Sequence, residues 1–250
     1  MFECMNEEEQ PLITILITVG ENDTEFDRTF TSCIEQSYKP VEVLVVDYGD
    51  GSRRSLVDSE TYPDIRFIDA SDAGGVSAAR NRALEQAQGE YVLFVESGQQ
   101  VQAMWLGKAV DRFKLSQADA VQCATVYEQD NRTARVHMPN DSLFGFYQRL
   151  LYEPSVPLNS MIVRKEICSR FPEEMNRAGD WEFWISTLKG RKVDVLPEYY
   201  GSIIMLSQQV EKEQDPGYLR EKYEIMREHY PELRRSIRKV KQFFRLRKGT

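Results

Sequence analysis

Near-continuous apolar runs alternate along this chain with stretches whose apolar residues recur every three or four positions. Leu12–Thr18 is such a run, rich in β-branched residues, and predicts a strand buried on both faces. Phe26, Phe30, Cys33 and Ile34 fall at helical spacing, so 24–37 predicts an amphipathic helix. Val41–Val46 predicts a second buried strand ending at Asp47. The turn-forming stretch Tyr48-Gly49-Asp50-Gly51-Ser52 follows, with Ser52 as a helix cap. Ile65–Ile68 predicts a third strand, Gly74-Gly75 opens a helix to about Gln88, and Tyr91–Val95 predicts a fourth strand.

This strand–helix alternation predicts a three-layer α/β/α fold with a mostly parallel central sheet. Ligands of such sheets bind beyond the carboxyl ends of the strands. That rule selects three loops, 18–22, 47–52 and 96–100. The second half is mixed. Ala120–Val126, Ser160–Arg164, Val193–Val195 and Ser202–Leu206 read as strands, and Ser142–Leu151 and Asp180–Leu188 as helices. Gln208–Pro216 reads as a charged linker, and from Tyr218 the pattern is helical, with a break at Pro231.

Composition narrows the function classes. With 250 residues and 41% hydrophobic content, a sizeable core is expected and disorder is not. The longest apolar run is too short to span a bilayer. Met1–Gln10 is acidic and lacks an apolar core, so no secretory leader is expected and the cytoplasm is the expected location. Cys4, Cys33, Cys123 and Cys168 are widely spaced and read as reduced, mostly buried thiols. Two histidines, His137 and His229, do not suggest a His-rich metal centre. The net charge of −8 conceals an asymmetry. Residues 234–250 hold eight Lys or Arg and no acid, which leaves −16 on 1–233. An acidic body argues against nucleic-acid binding.

Three stretches carry a family likeness. PLITILITVGENDTEFDRTFTSCIEQSYKPVEVLVVDYGDGS, AGGVSAARNRALEQAQGEYVLFVESG and NSMIVRKEICSRFPEEMNRAGDWEFWISTL occur in this order. Together they resemble family 2 glycosyltransferases of the GT-A fold, over roughly residues 11–205. The likeness implies a GT-A-like domain over 11–205, with 206–250 as linker and basic helical tail. It implies a nucleotide-diphosphate sugar as donor and an inverting transfer to a polysaccharide, lipid-linked or protein acceptor. Donor contacts are implied for Thr18, Val19, Gly20, Glu21, Asp47, Tyr48, Arg80, Glu96, Ser97 and Gly98. Thr18, Asp47, Arg80, Asn81 and Asp180 match the family pattern.

Six positions depart from it. The loop aromatic that stacks on the nucleobase is replaced by Gly20, Glu21 stands where Asn is usual, and the second Asp of the Val-Asp-Asp turn is Tyr48. Tyr48 is a candidate for the stacking surface that Gly20 lacks. The metal-binding Asp-Ser-Asp-Asp stretch reads Glu96-Ser97-Gly98-Gln99. Glu96 is then the one anionic ligand left for Mn²⁺ or Mg²⁺.

Sugar transfer needs the diphosphate charge neutralised, the acceptor hydroxyl deprotonated and water kept out. Asp180 precedes the apolar helical run Trp181, Phe183, Trp184, Ile185 and Leu188, and is the candidate general base. Its plainer reading is an N-cap aspartate. Arg80 suits phosphate or uracil oxygens, or is a surface arginine pairing with Glu85 or Asp72. Glu96 reads as a donor contact or as a strand-end carboxylate bonded to its loop. On the acceptor side, Trp181 is expected near the sugar and Trp184 in the core, with Glu182 bonding an acceptor hydroxyl or solvated.

In the tail, Leu233, Ile237, Val240 and Phe244 follow helical spacing among the eight cations. This basic amphipathic pattern fits peripheral contact with an anionic membrane surface, or a helix packed on the domain. A rival function stays open. Gly20, Tyr48, Gly98 and Gln99 suit a degenerate, non-catalytic module kept for binding or assembly. A nucleotide enzyme of another type is disfavoured, because neither GxGxxG nor GxxxxGK[ST] occurs.

Overall fold

The computed structural model describes residues 9–231, except 22, 52, 55–56, 58–64, 130–131, 138–144, 152–155, 176, 199–201, 206–214 and 230. Its first four strands are parallel: β1 (Ile13–Val19), β2 (Val41–Asp47), β3 (Ile65–Asp69) and β4 (Tyr91–Glu96). All of β1 is buried, as its apolar run predicts. Alternation along each strand divides the apolar residues between two faces. Ile13, Ile15, Ile17 and Val19 enter one core, with α1 (Phe26–Ile34) and α3 (Trp105–Ser116). Leu16, Leu44, Val46 and Phe94 enter the other, with α2 (Val76–Gln86) and α5 (Gly179–Leu188). The result is the expected three-layer arrangement.

Three further strands complete a seven-stranded sheet: β6 (Ala120–Cys123), β9 (Met161–Arg164) and β10 (Val193–Leu196). The order is β10-β6-β9-β4-β1-β2-β3, and only β9 runs antiparallel to its neighbours. The stretch expected as one strand over 120–126 divides at Ala124. Its second half, β7 (Thr125–Gln129), joins β5 (Gln99–Gln100), β8 (Arg132–His137) and β11 (Ser202–Met205) in a separate small sheet. The helix expected over 142–151 shortens to α4 (Phe146–Leu150), with 142–144 outside the described residues. Gly145, at φ 79°, precedes it.

A final helix, α6 (216–229), packs on the body. Tyr218 and Ile225 are buried in the same core as Trp184 and Leu188. Tail residues 234–250 and the Ser52 cap lie outside the described residues. Cys33 and Cys123 are buried free thiols, and burial pushes Cys33 up to about 12, so it is inert as a nucleophile.

One buried carboxylate fastens the end of the sheet opposite the three loops. Glu42 accepts hydrogen bonds from Thr14 Oγ1 at 2.6 Å and from the Gln88 amide at 2.9 Å, and pairs with Arg66. Thr14 Oγ1 also accepts the Gly89 amide at 2.8 Å. β1, β2, β3 and the turn after α2 therefore share one network. Glu42→Ala leaves the Thr14 hydroxyl and the Gln88 amide without this partner, which costs about 2–4 kcal/mol. Urea unfolding should show that loss, with Glu42→Gln in between. An unchanged midpoint for Glu42→Ala would remove the network from the account of stability.

Candidate functional site

Strand register sets the ends of the central strands level. Val19 pairs with Asp47, and Thr18 with Glu96. The three loops therefore leave the sheet side by side. They are bonded there: the Tyr48 amide donates to the Val19 carbonyl at 3.0 Å, and the Ser97 amide to the Thr18 carbonyl at 3.1 Å. The Thr18 and Val19 carbonyls are taken up in these bonds, and the Val19 side chain lies in the core. Residues 22 and 52, at the loop edges, lie outside the described residues.

The first two loops touch almost backbone to backbone. A Cβ on Gly49 would lie 2.6 Å from the Glu21 nitrogen. A Cβ on Gly20 would lie 2.9 Å from the Tyr48 hydroxyl oxygen. The Tyr48 side chain therefore occupies the space that a side chain at position 20 would need. Glu21 is exposed beside it. Asp47, 1% exposed, accepts the Gly49 amide at 2.8 Å and the Arg53 amide at 3.4 Å, and so shapes the turn. Arg53 also donates to the Asp23 carbonyl. With Asp23, Thr24 and Asp27, Arg53 lines a cleft of about 410 Å³ at this edge. Sequence reasoning missed Asp23 and Arg53, although both flank the selected loops.

Arg80 and Glu96 form an ion pair. The Arg80 side chain is 4% exposed and the Glu96 side chain 34% exposed. The surface reading of Arg80 is corrected: α2 turns this residue inward, and its guanidinium carbon lies 5.1 Å from the Phe171 ring centroid. Gln99 holds Glu96 from the other side. Its Nε2 donates to Glu96 Oε2 at 3.2 Å, and its Oε1 accepts the Glu96 amide at 3.1 Å. Burial pushes the Tyr48 phenol above its ordinary value. The carboxylates of Glu96, Asp23 and Asp47 push the same way, against Arg80. Tyr48 is therefore a neutral O–H donor at physiological pH. Ser97 Oγ is buried without a partner among the described residues.

Gly98 has a structural role. Its φ of 89° suits glycine, and its amide donates to Thr29 Oγ1 at 2.9 Å. The stretch after β4 thus offers a Glu96 already paired with Arg80, a glycine and a glutamine. Among the described residues, no group of three His, Cys, Asp or Glu is placed to hold an ion. These residues do not fit a divalent-cation site.

α2 also reaches the acceptor-side segment. Asn81 accepts the Phe171 amide at 2.7 Å and donates to the Phe171 carbonyl at 2.9 Å. Ser77 Oγ donates to the Met175 carbonyl at 2.6 Å. Gly179, the first residue of α5, packs so closely that a Cβ would lie 2.9 Å from Ser77 Oγ. Asp180 comes next and accepts the Trp181 amide at 3.0 Å. The N-cap position belongs to Ala178, so the cap reading of Asp180 is corrected: it sits inside the first turn, near the positive end of the helix.

Two acceptor-side expectations change. Trp181 is 2% exposed and donates its indole N–H to the Leu150 carbonyl, so it packs in the core like Trp184 and offers no open sugar platform. Glu182 is bonded to Ser186 and, at 2.9 Å, to His229 of α6.

Comparison with known proteins gives the family and the fold. The family described as Glycosyl transferase family 2 matches residues 14–171. An uncharacterized glycosyltransferase of Haemophilus influenzae is 25% identical, over 77% of this chain and 78% of the relative. The putative teichuronic acid biosynthesis glycosyltransferase TuaG of Bacillus subtilis is 27% identical, over 72% of this chain and 73% of the relative. Among solved structures, S. aureus TarS 1-349 in complex with UDP superposes with a TM-score of 0.65 at 20% identity, over 77% of this chain and 60% of that one. The Pyrobaculum calidifontis mannosyltransferase PcManGT, in complex with GDP-Man and Mn²⁺, gives 0.58 at 21% identity, over 79% and 57%. The chain thus spans about three fifths of the length of these solved neighbours, which share its GT-A-like fold.

The contact between Gly20 and Tyr48 makes a testable pair. Gly20→Ala should lower the unfolding midpoint, and the same change in a Tyr48→Phe background should cost less, because the 2.9 Å contact is with the hydroxyl oxygen. The expected coupling is about 1 kcal/mol by denaturant titration. Strict additivity would mean the two side-chain positions do not compete for one space.

Proposed function

This chain belongs to glycosyl transferase family 2, and on that premise we propose that it moves a sugar, with inversion, from a nucleotide-diphosphate donor to an acceptor hydroxyl. The observation that carries the reading is the cluster of Asp47, Tyr48, Arg80 and Glu96 at the level ends of β1, β2 and β4. Tyr48 offers an aromatic face to the nucleobase in place of the missing aromatic at Gly20. Thr18, Val19, Gly20 and Glu21 border the donor through their backbone. The inward Arg80 guanidinium supplies positive charge to the diphosphate as the bond to the sugar breaks. Glu96, Ser97 and Gly98 face the donor sugar or ribose.

Asp180 takes the proton from the acceptor hydroxyl while that oxygen attacks the anomeric carbon opposite the leaving group. The first turn of α5 favours its ionised form. The name of TuaG ties that relative to teichuronic acid biosynthesis, so a polysaccharide comes first among polysaccharide, lipid-linked and protein acceptors. Among the described residues no helix is long and apolar enough to cross a membrane. We place the protein in the cytoplasm, with residues 234–250 touching the inner membrane face.

A binding module without turnover is the second reading, favoured by the Gly98 and Gln99 departures. Asp180→Asn separates the two. It keeps the size of the side chain and its bond to the Trp181 amide but cannot accept the proton. Donor consumption with a cell-derived acceptor mixture should fall roughly 100-fold or more, with nucleotide affinity and melting temperature nearly unchanged. Equal transfer by wild type and variant would dismiss Asp180 as the base.

Metal dependence gives an independent check. No step here runs through a divalent cation, because Arg80 and Gln99 already occupy the Glu96 carboxylate. Turnover should persist in EDTA and rise only a few-fold with Mn²⁺. Activity abolished by EDTA and restored by Mn²⁺ would overturn that assignment.

A further inference from the structure

α6 has two working faces. The inner one fastens it to the start of α5. Tyr218 and Ile225 enter the core, Glu221 accepts the Arg177 and Ala178 amides at 3.0 and 2.7 Å, and His229 meets Glu182. Among the described residues, the outer one is apolar and exposed. Leu219, Tyr223 and Met226 are 52%, 67% and 37% exposed. At one turn per 3.6 residues these three fall within an arc of about 60°.

Charge is sorted around that stripe. By the same geometry Arg220 and Arg227 border it on one side and Lys222 on the other, while Glu221, Glu224 and Glu228 fall on the remaining arc. The chain that follows, 234–250, adds eight cations and no acid. Isolated exposed apolar residues need no explanation, but an aligned set edged by cations on a docked helix does. We infer that the outer face of α6 is a docking surface for an anionic phospholipid bilayer. The apolar stripe enters the interface, and Arg220, Lys222 and Arg227 meet the headgroup phosphates. This inference deepens the membrane contact assigned above to 234–250. Because α6 is bonded to the first turn of α5, a bound membrane would hold its surface at a fixed place relative to Asp180, which suits an acceptor carried by that membrane.

The test is flotation of the full chain with vesicles of phosphatidylcholine alone or mixed equally with phosphatidylglycerol. The wild type should float with the mixed vesicles and stay behind with phosphatidylcholine, and rising salt should weaken the binding. The triple variant Leu219→Ser, Tyr223→Ser, Met226→Ser, with its tail intact, should partition roughly tenfold less. UDP titration and melting of the same variant should match the wild type. That separates loss of docking from failure of the sugar-transfer reading, which UDP binding and the Asp180 variant address. Equal flotation of variant and wild type would overturn the inference, as would equal flotation of wild type on both vesicles, or none. A wild-type dimer that the triple variant splits, without any flotation, would assign the stripe to a second copy of the chain instead. If the triple variant fails to fold, Tyr223→Trp replaces it. Brominated acyl chains should quench its emission beyond the wild-type level, and no added quenching would equally overturn the inference.

Discussion

A buried polar stripe on α2 holds the two halves of this site together. Ser77, Arg80 and Asn81 lie three and four residues apart, so one helix face presents all three inward. Arg80 reaches Glu96 at the end of β4, while Asn81 and Ser77 bond the backbone of the segment leading to α5. Buried polar groups persist only when paired, so the stripe allows little freedom in the position of either partner. The loops ascribed to the donor and the helix start ascribed to the acceptor are referenced to one rigid element. Ala79 and Ala83, buried on the same helix, let it lie close against the sheet.

Two compensations give the site its particular chemistry. Gly20 and Tyr48 balance bulk: the Tyr48 side chain of the second loop fills the space that a side chain at position 20 of the first would need. Glu96 and Arg80 balance charge: the carboxylate at the end of β4 is paired with a guanidinium from within the protein. On the proposed reading, the Arg80 guanidinium stands at Glu96 in place of a cation. A guanidinium directs several N–H donors at phosphate oxygens, whereas a cation would need anionic ligands that Gly98 and Gln99 cannot offer.

Much of this was legible in the sequence, for identifiable reasons. β1, β2 and β4 read correctly because burial on both faces makes them near-continuous apolar runs, and β1 matches within one residue. The loops at their ends followed from topology alone. The division at Ala124 was not legible, since a strand that passes from one sheet to another leaves no break in apolar pattern. α3 was overlooked although Trp105, Leu106, Ala109, Val110 and Phe113 carry helical spacing. At the site, Asp47, Tyr48, Arg80 and Glu96 were named in advance. The inward direction of Arg80 and the burial of Trp181 were not, because both depend on which helix face meets the sheet. Asn81 reads from sequence as part of a motif, but its bonds to Phe171 span ninety residues and needed coordinates.

The most direct test of the central claim is calorimetric titration of a panel of nucleoside diphosphates, UDP and GDP among them, into the full chain. One series is run in EDTA and one in Mn²⁺. A site built from Asp47, Tyr48 and the Arg80–Glu96 pair should bind at least one nucleotide saturably and one-to-one in EDTA, and Mn²⁺ should tighten it less than about tenfold. Binding that appears only with Mn²⁺, or no saturable binding of any nucleotide in either series, would contradict the account.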